Sequence, residues 1–486
     1  MGTAGRPTRP GDRAGRGSGV EPVADMPSLS PAAAAYGCRP HRELAPGART
    51  GGPGPLGEAP PLMQQYVALR EVPMDVLIVA VDTRGGVQPY TALAAGLRAR
   101  GHPTVVAAPE DLTWLPEQHG VPAVALPGSM QEAAARLPSS EGMRGLVPRG
   151  MQDEVSRQAA VRTAALLEAA PEAGVVLAGI GGAPIARAVA DRIGARFLPA
   201  HLHPLGPATG AFPGVLAPHV PRWSGRAGNR LAHRITALAA AAPTRPAERA
   251  ARTAAGLAER PAARPETGAL YGISPQVLPQ PSDWPPGHVL TGYWFLDDPG
   301  AALDPELEAF LADGPPPVVV GFGSMSSTDA RRASRTVTAA LRATGSRGVL
   351  LTGWGGLAGD DPGPGFLVRT AVPHDLLLPR AAAVVHHAGA GTTAAGLRAG
   401  IPQVTIPYGV DQPFWAARVH ELGAGTAPIP RRRLTTERLV EALERCLRDG
   451  SLRERARQLG AAIRAEDGVG TAVTRLETWA ALDPRR

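Results

Sequence analysis

Residues 384–412 read VVHHAGAGTTAAGLRAGIPQVTIPYGVDQ, and this stretch constrains the fold more tightly than any other part of the chain. The apolar run at 381–385 reads as a buried strand. Two histidines and a small-residue loop at 388–392 follow it. A helical pattern begins near Thr393 and stops at Gly400, with Pro402 just beyond, as helix C-termini prefer. A second short strand at 403–406 leads to the polar pair Asp411 and Gln412. A strand that feeds a glycine loop into a helix presents unpaired N–H groups and the positive end of the helix dipole to an anion. His387 stands at the loop entrance, placed to donate to a phosphate oxygen. The chemistry this predicts is the binding of a diphosphate-bearing donor. A plain βα turn with small residues for close packing fits the loop on its own; the polar pair after the next strand weighs against that reading.

The loop also excludes several chemistries. The chain contains no lysine, so all 50 basic residues are arginine. Schiff-base, pyridoxal and Walker-type phosphate chemistry are thereby ruled out. The glycines at 389, 391 and 396 do not make the dinucleotide-binding spacing GxGxxG. Charged residues are 19% and hydrophobic ones 44%, a globular balance, and the net charge of +7 is spread along the chain. The tight basic run at 431–433 reads as a solvated loop, and no basic stripe with interleaved aromatics is present, so nucleic acid is not an expected partner. Cys38 and Cys446, two isolated thiols, make neither a disulfide framework nor a zinc site, and a reducing cytoplasm is the expected location. No apolar run reaches the roughly 18 residues of a membrane span. Peripheral contact with a membrane is left open.

Residues 1–73 are crowded with Gly and Pro and lack periodicity, which predicts a disordered extension. Met74 directly precedes the first good strand, 75–81, which raises the hypothesis that translation starts there. Beyond it, strands are expected at 104–109, 121–127, 175–180 and 195–200. Helices are expected at 89–100, 151–170 and 183–193, with a less regular stretch at 207–245. A second alternating set begins with the strand 317–322 and runs through helix 329–343, strands at 348–353 and 366–370, and helices at 411–422, 435–448 and 451–482. Alternation of this kind predicts an α/β protein with two Rossmann-like doubly wound domains. The expected organisation is an N-terminal acceptor-binding domain at 74–295, a donor-binding domain at 296–466, and a terminal helix at 467–486 crossing back to the first domain.

Several separate motifs, in order, resemble those of GT-B nucleotide-sugar glycosyltransferases. The likeness is to the branch holding sterol glucosyltransferases and macrolide and glycopeptide antibiotic transferases. HHAGAGTTAAGLRAGIPQ resembles its donor signature and DQPFWAARVHELGAG the continuation. VVVGFGSMSS resembles the loop opening the donor domain, VPHDLLLPR the segment beside the nucleobase, DWPPGHVLTGYWFLDD the interdomain stretch, and DTRGGVQPYTALAAGLRARGH the first acceptor-side loop and helix. The match covers roughly residues 74–482.

The resemblance implies an inverting, metal-independent transfer of a hexose from a UDP- or dTDP-sugar to a hydroxyl of a lipophilic small molecule. A sterol, a polyketide or another secondary metabolite would serve. The sequence carries no DxD motif, and the resemblance implies no cofactor beyond the nucleotide-sugar co-substrate. It assigns leaving-group stabilisation to His387, the amides of Gly389, Ala390, Gly391 and Thr392, and Ser324. Asp411 and Gln412 would hold sugar hydroxyls, and Val372 would offer backbone groups to the base. Trp354 is either a base-stacking or a packing residue, and His386 is expected to be structural. Plant relatives carry a ribose-binding glutamate where this chain has Ala395. The acceptor-side loop is Thr83, Arg84, Gly85 and Gly86. The branch usually has an aspartate near the acceptor hydroxyl where Gly86 stands, and Gly86 cannot take a proton. Asp82 on the same loop and His203, with His201 beside it, are the alternative bases. The missing aspartate keeps open a catalytically impaired nucleotide-sugar binder, and a hydrolase or epimerase on the same fold.

Overall fold

The computed structural model describes residues 73–136, 149–169, 172–259, 268–298, 300–323, 330–353, 357 and 361–481. The expected extension at 1–72, Ser324 and Trp354 lie outside the described residues. The first set of elements is β1 (Val76–Val79), α1 (Arg84–Ala99), β2 (Thr104–Pro109), α2 (Trp114–Gln118), β3 (Ala123–Leu126), α3 (Met130–Arg136), α4 (Arg149–Ala169), β4 (Val175–Ala178), α5 (Ala183–Ile193), β5 (Arg196–His201), α6 (Gly225–Ala254), β6 (Ala269–Tyr271) and β7 (His288–Leu290). The second is α7 (Pro305–Ala312), β8 (Val318–Gly321), α8 (Ala330–Ala343), β9 (Gly348–Leu351), β10 (Phe366–Arg369), α9 (His374–Leu377), β11 (Ala383–His386), α10 (Ala390–Ala399), β12 (Gln403–Thr405), α11 (Gln412–Glu421), α12 (Thr436–Arg448), α13 (Gly450–Arg464) and α14 (Gly468–Ala481).

Two parallel sheets result. The first has the order β3-β2-β1-β4-β5-β6-β7 and the second β10-β9-β8-β11-β12. Their strands are near-continuous apolar runs because helices cover both faces; all four residues of β1 and of β4 are buried. In each sheet the order reverses beside the first strand. The crevice at such a switch point, beyond the strand C-termini, is where open α/β sheets bind ligands. In the first sheet it opens after β1 and β4, at Asp82 and Gly179–Gly182; in the second it opens after β8 and β11, at Gly323 and His387. The fold therefore aims both crevices from the ends of apolar strands whose register is fixed by burial.

A shared apolar cluster joins the two sheets' surroundings. Phe212, Tyr271, Ile273 and Trp284 from the first half pack with Ala388, Phe414, Trp415 and Leu459 from the second. Phe212 meets Phe414 edge-on at 6.2 Å between ring centroids. The terminal helix α14 packs on α1. Ala472, Val473 and Leu476 lie in the core that contains β1, and Glu477 receives Arg100 Nη2 at 2.8 Å and contacts His102 Nε2 at 3.0 Å.

Three expectations change, the first being that the helical stretch 451–482 divides into α13 and α14 around 465–467. Helix α1 begins at Arg84, not at 89. The Thr83 carbonyl accepts from Gly86 N and Val87 N, at 2.9 and 3.0 Å, and so closes a first turn ahead of Pro89. The stretch read as irregular holds the 30-residue helix α6, with Pro243 and Pro246 inside it. Its alanine-rich composition and packing against α4 and α5 outweigh the two lost hydrogen bonds.

Gly96 shows how closely the terminal helix is fitted, because a Cβ there would lie 2.2 Å from Val469 Cγ1. In an ordinary helix Gly→Ala stabilises by about 0.5–1 kcal/mol. Gly96→Ala should instead destabilise by roughly 1–3 kcal/mol through overpacking, read from urea unfolding. A gain in stability would contradict this packing of α14 on α1.

Candidate active site

The site grows from the strand ends. Asp82 follows β1 and is held by its own loop, its Oδ1 accepting from Thr83 N at 2.6 Å. Thr83 is the N-cap of α1, and Arg84, Gly85 and Gly86 form its first turn. The four residues expected to be a loop are thus a helix start, closed by the Thr83 carbonyl. Gly86 is buried directly beneath Asp82: a Cβ at Gly86 would lie 2.1 Å from Asp82 Cγ and 2.3 Å from Oδ2. The carboxylate of residue 82 therefore fills the space into which a side chain at 86 would grow. That relation was hidden in the sequence, where the two positions only look like a missing aspartate and a spare one.

Asp82 lines a small cleft of about 20 Å³ with Tyr90, Gly179–Gly182, His201 and His203. The cleft has space for about one water molecule. Tyr90 lies on its wall and donates to the Ala200 carbonyl at 2.7 Å. Burial pushes the Asp82 carboxyl above the usual carboxylate value, and the nearby Asp411 adds to the rise, while the Thr83 backbone N–H, His203 and the Thr83 hydroxyl oppose it. Burial holds His201 down at about 3, so it is neutral at ordinary pH.

His203, two residues beyond β5, reaches across to the second half, with Nε2 3.9 Å from Asp411 Oδ2. Asp411 is the N-cap residue of α11, yet its side chain accepts no hydrogen bond from the helix amides. Instead Trp415 Nε1 donates to Asp411 Oδ2 at 3.0 Å. Trp415 is almost fully buried, packing on Phe414 at 5.1 Å and near His203 at 6.5 Å between ring centroids. One carboxylate oxygen of Asp411 is thereby fixed by a core residue. Gln412 is buried, and its Oε1 accepts from Tyr408 N at 2.8 Å and Gly409 N at 3.3 Å. The amide expected both to accept from and to donate to a sugar holds its own turn through that oxygen.

His387 follows β11 and sits between two glycines. A Cβ at Gly323 would lie 2.8 Å from its Cε1, and one at Gly389 2.4 Å from its Nε2. Burial lowers its pKa to about 4, with the Gly321 carbonyl opposing and His374 contributing to the fall. The imidazole is thus neutral near pH 7, and its Nδ1 has no hydrogen-bond partner among the described residues. Its neighbour His386 is structural, as expected: Nε2 pairs with Gln403 Oε1 at 2.7 Å and Nδ1 accepts from Ala388 N at 3.1 Å. Gly389 is the N-cap of α10, and Ala390, Gly391 and Thr392 are its first turn. The helix starts three residues ahead of Thr393, so the expected loop amides are helix N-terminal amides. Neither α1 nor α10 has a side-chain cap, and the two N-termini approach each other, with Gly85 O 3.8 Å from where a Cβ of Gly391 would lie. Uncapped amides with aligned dipoles attract an anion.

Val372 is half-buried against the core around β8–β10 and α9, apart from the Asp82–His203–Asp411 group. His374, two residues on, escaped the sequence reading. Its pKa is lowered by burial first and by Arg84 second, which places Arg84 near the second half. Its position within VPHDLLLPR was the available signal. Backbone strain marks the same places. The two non-glycine residues with positive φ among the described residues are Ala388 (64°), next to His387, and Val410 (58°), next to Asp411. Such strain collects where a neighbouring side chain must be aimed.

Comparison with known proteins fits this geometry. Residues 364–477 match the family described as erythromycin biosynthesis protein CIII-like, C-terminal domain. An O-mycaminosyltylonolide 6-deoxyallosyltransferase of Streptomyces fradiae is 36% identical over 432 residues, covering 84% of this chain and 98% of the relative. The chain belongs to this glycosyltransferase family. A sterol 3-beta-glucosyltransferase of Arabidopsis thaliana is 34% identical over 442 residues, covering 84% of this chain and 68% of that protein. The fold matches the solved kitacinnamycin glycotransferase with a TM-score of 0.62 at 21% identity, covering 84% of this chain and 98% of that one. It also matches the glycosyltransferase VinC in complex with dTDP, with a TM-score of 0.58 at 20% identity, covering 84% and 99%. The enzyme is a glycosyltransferase with the GT-B arrangement of two parallel-sheet domains.

The raised pKa of Asp82 has a consequence for stability. A carboxyl whose folded-state pKa exceeds its unfolded value is penalised when ionised, so it lowers stability above the folded pKa and has no effect well below the unfolded value of 3.8. Asp82→Asn should therefore raise stability at pH 7, and the gain should shrink as the pH falls through the raised pKa. Urea unfolding at several pH values reads this out, and a variant less stable at pH 7 would contradict it. Val410→Gly should be neutral or stabilising by up to about 1 kcal/mol, because relief of the left-handed strain offsets the entropy of glycine. A loss above that size in the same assay would show that Val410 is not strained.

Proposed function

We propose that the enzyme transfers a hexose, with inversion and without a metal, from a UDP- or dTDP-sugar to a hydroxyl of a lipophilic polyketide or sterol. The observation that carries the reading is the meeting of Asp82 and His203 from one sheet with Asp411 from the other, beside the uncapped start of α10. The donor diphosphate lies on the amides of Gly389–Thr392 with the His387 imidazole, packed against Gly389, beside them. Asp411, oriented by Trp415, accepts from sugar hydroxyls. As the acceptor oxygen bonds to the anomeric carbon, the bond from that carbon to the diphosphate oxygen breaks. The acceptor's proton passes to Asp82, and the nucleoside diphosphate leaves with the bonding electron pair.

Each preorganised donor to the leaving group contributes about 2–4 kcal/mol to the transition state. The base contributes about 10²–10⁴-fold, and a carboxylate with a raised pKa is better matched to taking a hydroxyl proton than an ordinary one. The absence of a DxD motif supports metal independence. The thymidine donor is supported by the dTDP bound to the fold neighbour VinC. The lipophilic acceptor is supported by the tylonolide and sterol relatives and by Leu202 and Leu205, which line the cleft beside Asp82.

The test is to incubate the enzyme with UDP-glucose or a dTDP-sugar and a panel of lipophilic alcohols, measuring nucleoside diphosphate release. Release should depend on acceptor, persist in a chelator, and fall about 10²–10³-fold in His387→Ala. The anomeric coupling of the product should report inversion. Release without acceptor would make the protein a hydrolase, and tight nucleotide binding without release would make it a binder.

A further inference from the structure

Helix α6 carries an apolar stripe on the wrong side. Leu231, Ile235 and Leu238 follow an i, i+4, i+7 line and are 57%, 49% and 69% exposed, and Trp223 just ahead of the helix is 89% exposed. The opposite face, with Ala232, His233 and Thr236, is the buried one. Single exposed apolar residues are ordinary, but a tryptophan next to three aliphatic residues on one helical line is not.

The charge around the stripe is one-sided. No acidic residue occurs from His219 to Ala247, and Glu248 is the one acidic residue of α6. Arg226 and Arg230 lean on Asp283 from the neighbouring loop, at 3.7 and 3.0 Å. Arg234, Arg245 and Arg249 are exposed on α6 and form no ion pair among the described residues. We infer that this face docks the enzyme on an anionic lipid surface, with Trp223 and the aliphatic line entering the interface and the free arginines on headgroup phosphates. Amphipathic helices of this composition lie in the plane of a bilayer, and tryptophan favours the headgroup depth. A second copy of the chain is disfavoured as occupant, since a two-fold contact would set these arginines against each other.

The docking face is also tied to the cleft. Asn229 donates to Gly210 O at 2.9 Å, His233 Nε2 contacts Phe212 O at 3.1 Å, and Thr236 Oγ1 accepts from Leu216 N at 3.2 Å. The helix that meets the lipid thus carries on its other side the loop whose Phe212 packs on Phe414. A lipophilic acceptor dissolved in the bilayer would arrive beside that loop.

Sedimentation of the full chain with vesicles tests the inference. It should bind vesicles containing phosphatidylglycerol, not pure phosphatidylcholine, and binding should weaken with salt. The triple variant Arg234→Gln, Arg245→Gln, Arg249→Gln should lose roughly fivefold per arginine. Trp223→Ser with Leu231→Ser and Leu238→Ser should lose at least about tenfold. Both variants should keep the parent's nucleotide release with a water-soluble acceptor, which shows that they fold. Equal binding to neutral vesicles, no binding to anionic ones, or unchanged binding by either variant would overturn the inference. So would lipid-free self-association of the parent that the serine variant abolishes, which would make a second copy the occupant.

Discussion

The aromatic contact between the loop after β5 and helix α11 is what the active site depends on. Each sheet alone offers only a crevice at its switch point. Phe212, Phe414 and Trp415 bury apolar surface between the halves, and that burial brings the end of one crevice onto the other. Trp415 does two things with one side chain: its ring is core, and its N–H fixes Asp411. A polar handle on a buried aromatic finds a partner because leaving it unpaired is costly. Here the partner is the carboxylate that faces His203 from the opposite half. The contact between the halves and the orientation of Asp411 are therefore coupled through a single residue.

Local cost accompanies that arrangement. A β-branched residue is held in the left-handed region beside Asp411, an alanine is held there beside His387, and a carboxyl sits in a place that raises its pKa. Each lowers stability slightly, and the strand ends around them, buried in continuous apolar layers, supply the surplus. Glycine appears where backbone and imidazole must touch. Gly323 and Gly389 flank His387 so closely that any side chain would push the ring away.

Much of this was legible in the residues. Apolar runs such as 76–79 and 383–386 announce buried parallel strands, and Gly400, observed at φ 74°, announces the end of α10. His387 and Asp411 were singled out from one contiguous motif, and the helix expected from Thr393 begins three residues earlier, at Ala390. What stayed hidden depends on distances between elements far apart in sequence or on competition between local preferences. The prolines of α6 argue locally against a helix, and its alanine content together with its packing against α4 and α5 overrides them. Gln412 reads as a ligand group, but the amides of residues 408 and 409 claim its oxygen. Nothing in the string shows that the carboxylate of residue 82 occupies the side-chain space of residue 86, since one helical turn must form first.

In the proposed reaction the base is Asp82, whose carboxylate fills the space into which a side chain at residue 86 would grow. The direct measurement is turnover with a working donor and acceptor for Asp82→Gly, for Gly86→Asp, and for the two together. General-base loss predicts that Asp82→Gly falls by about 10²–10⁴-fold. Gly86→Asp, which crowds the existing carboxylate, should also fall, and the double exchange should recover to within about tenfold of the parent. A double variant no better than the worse single one, or an Asp82→Gly enzyme at full turnover, would contradict it.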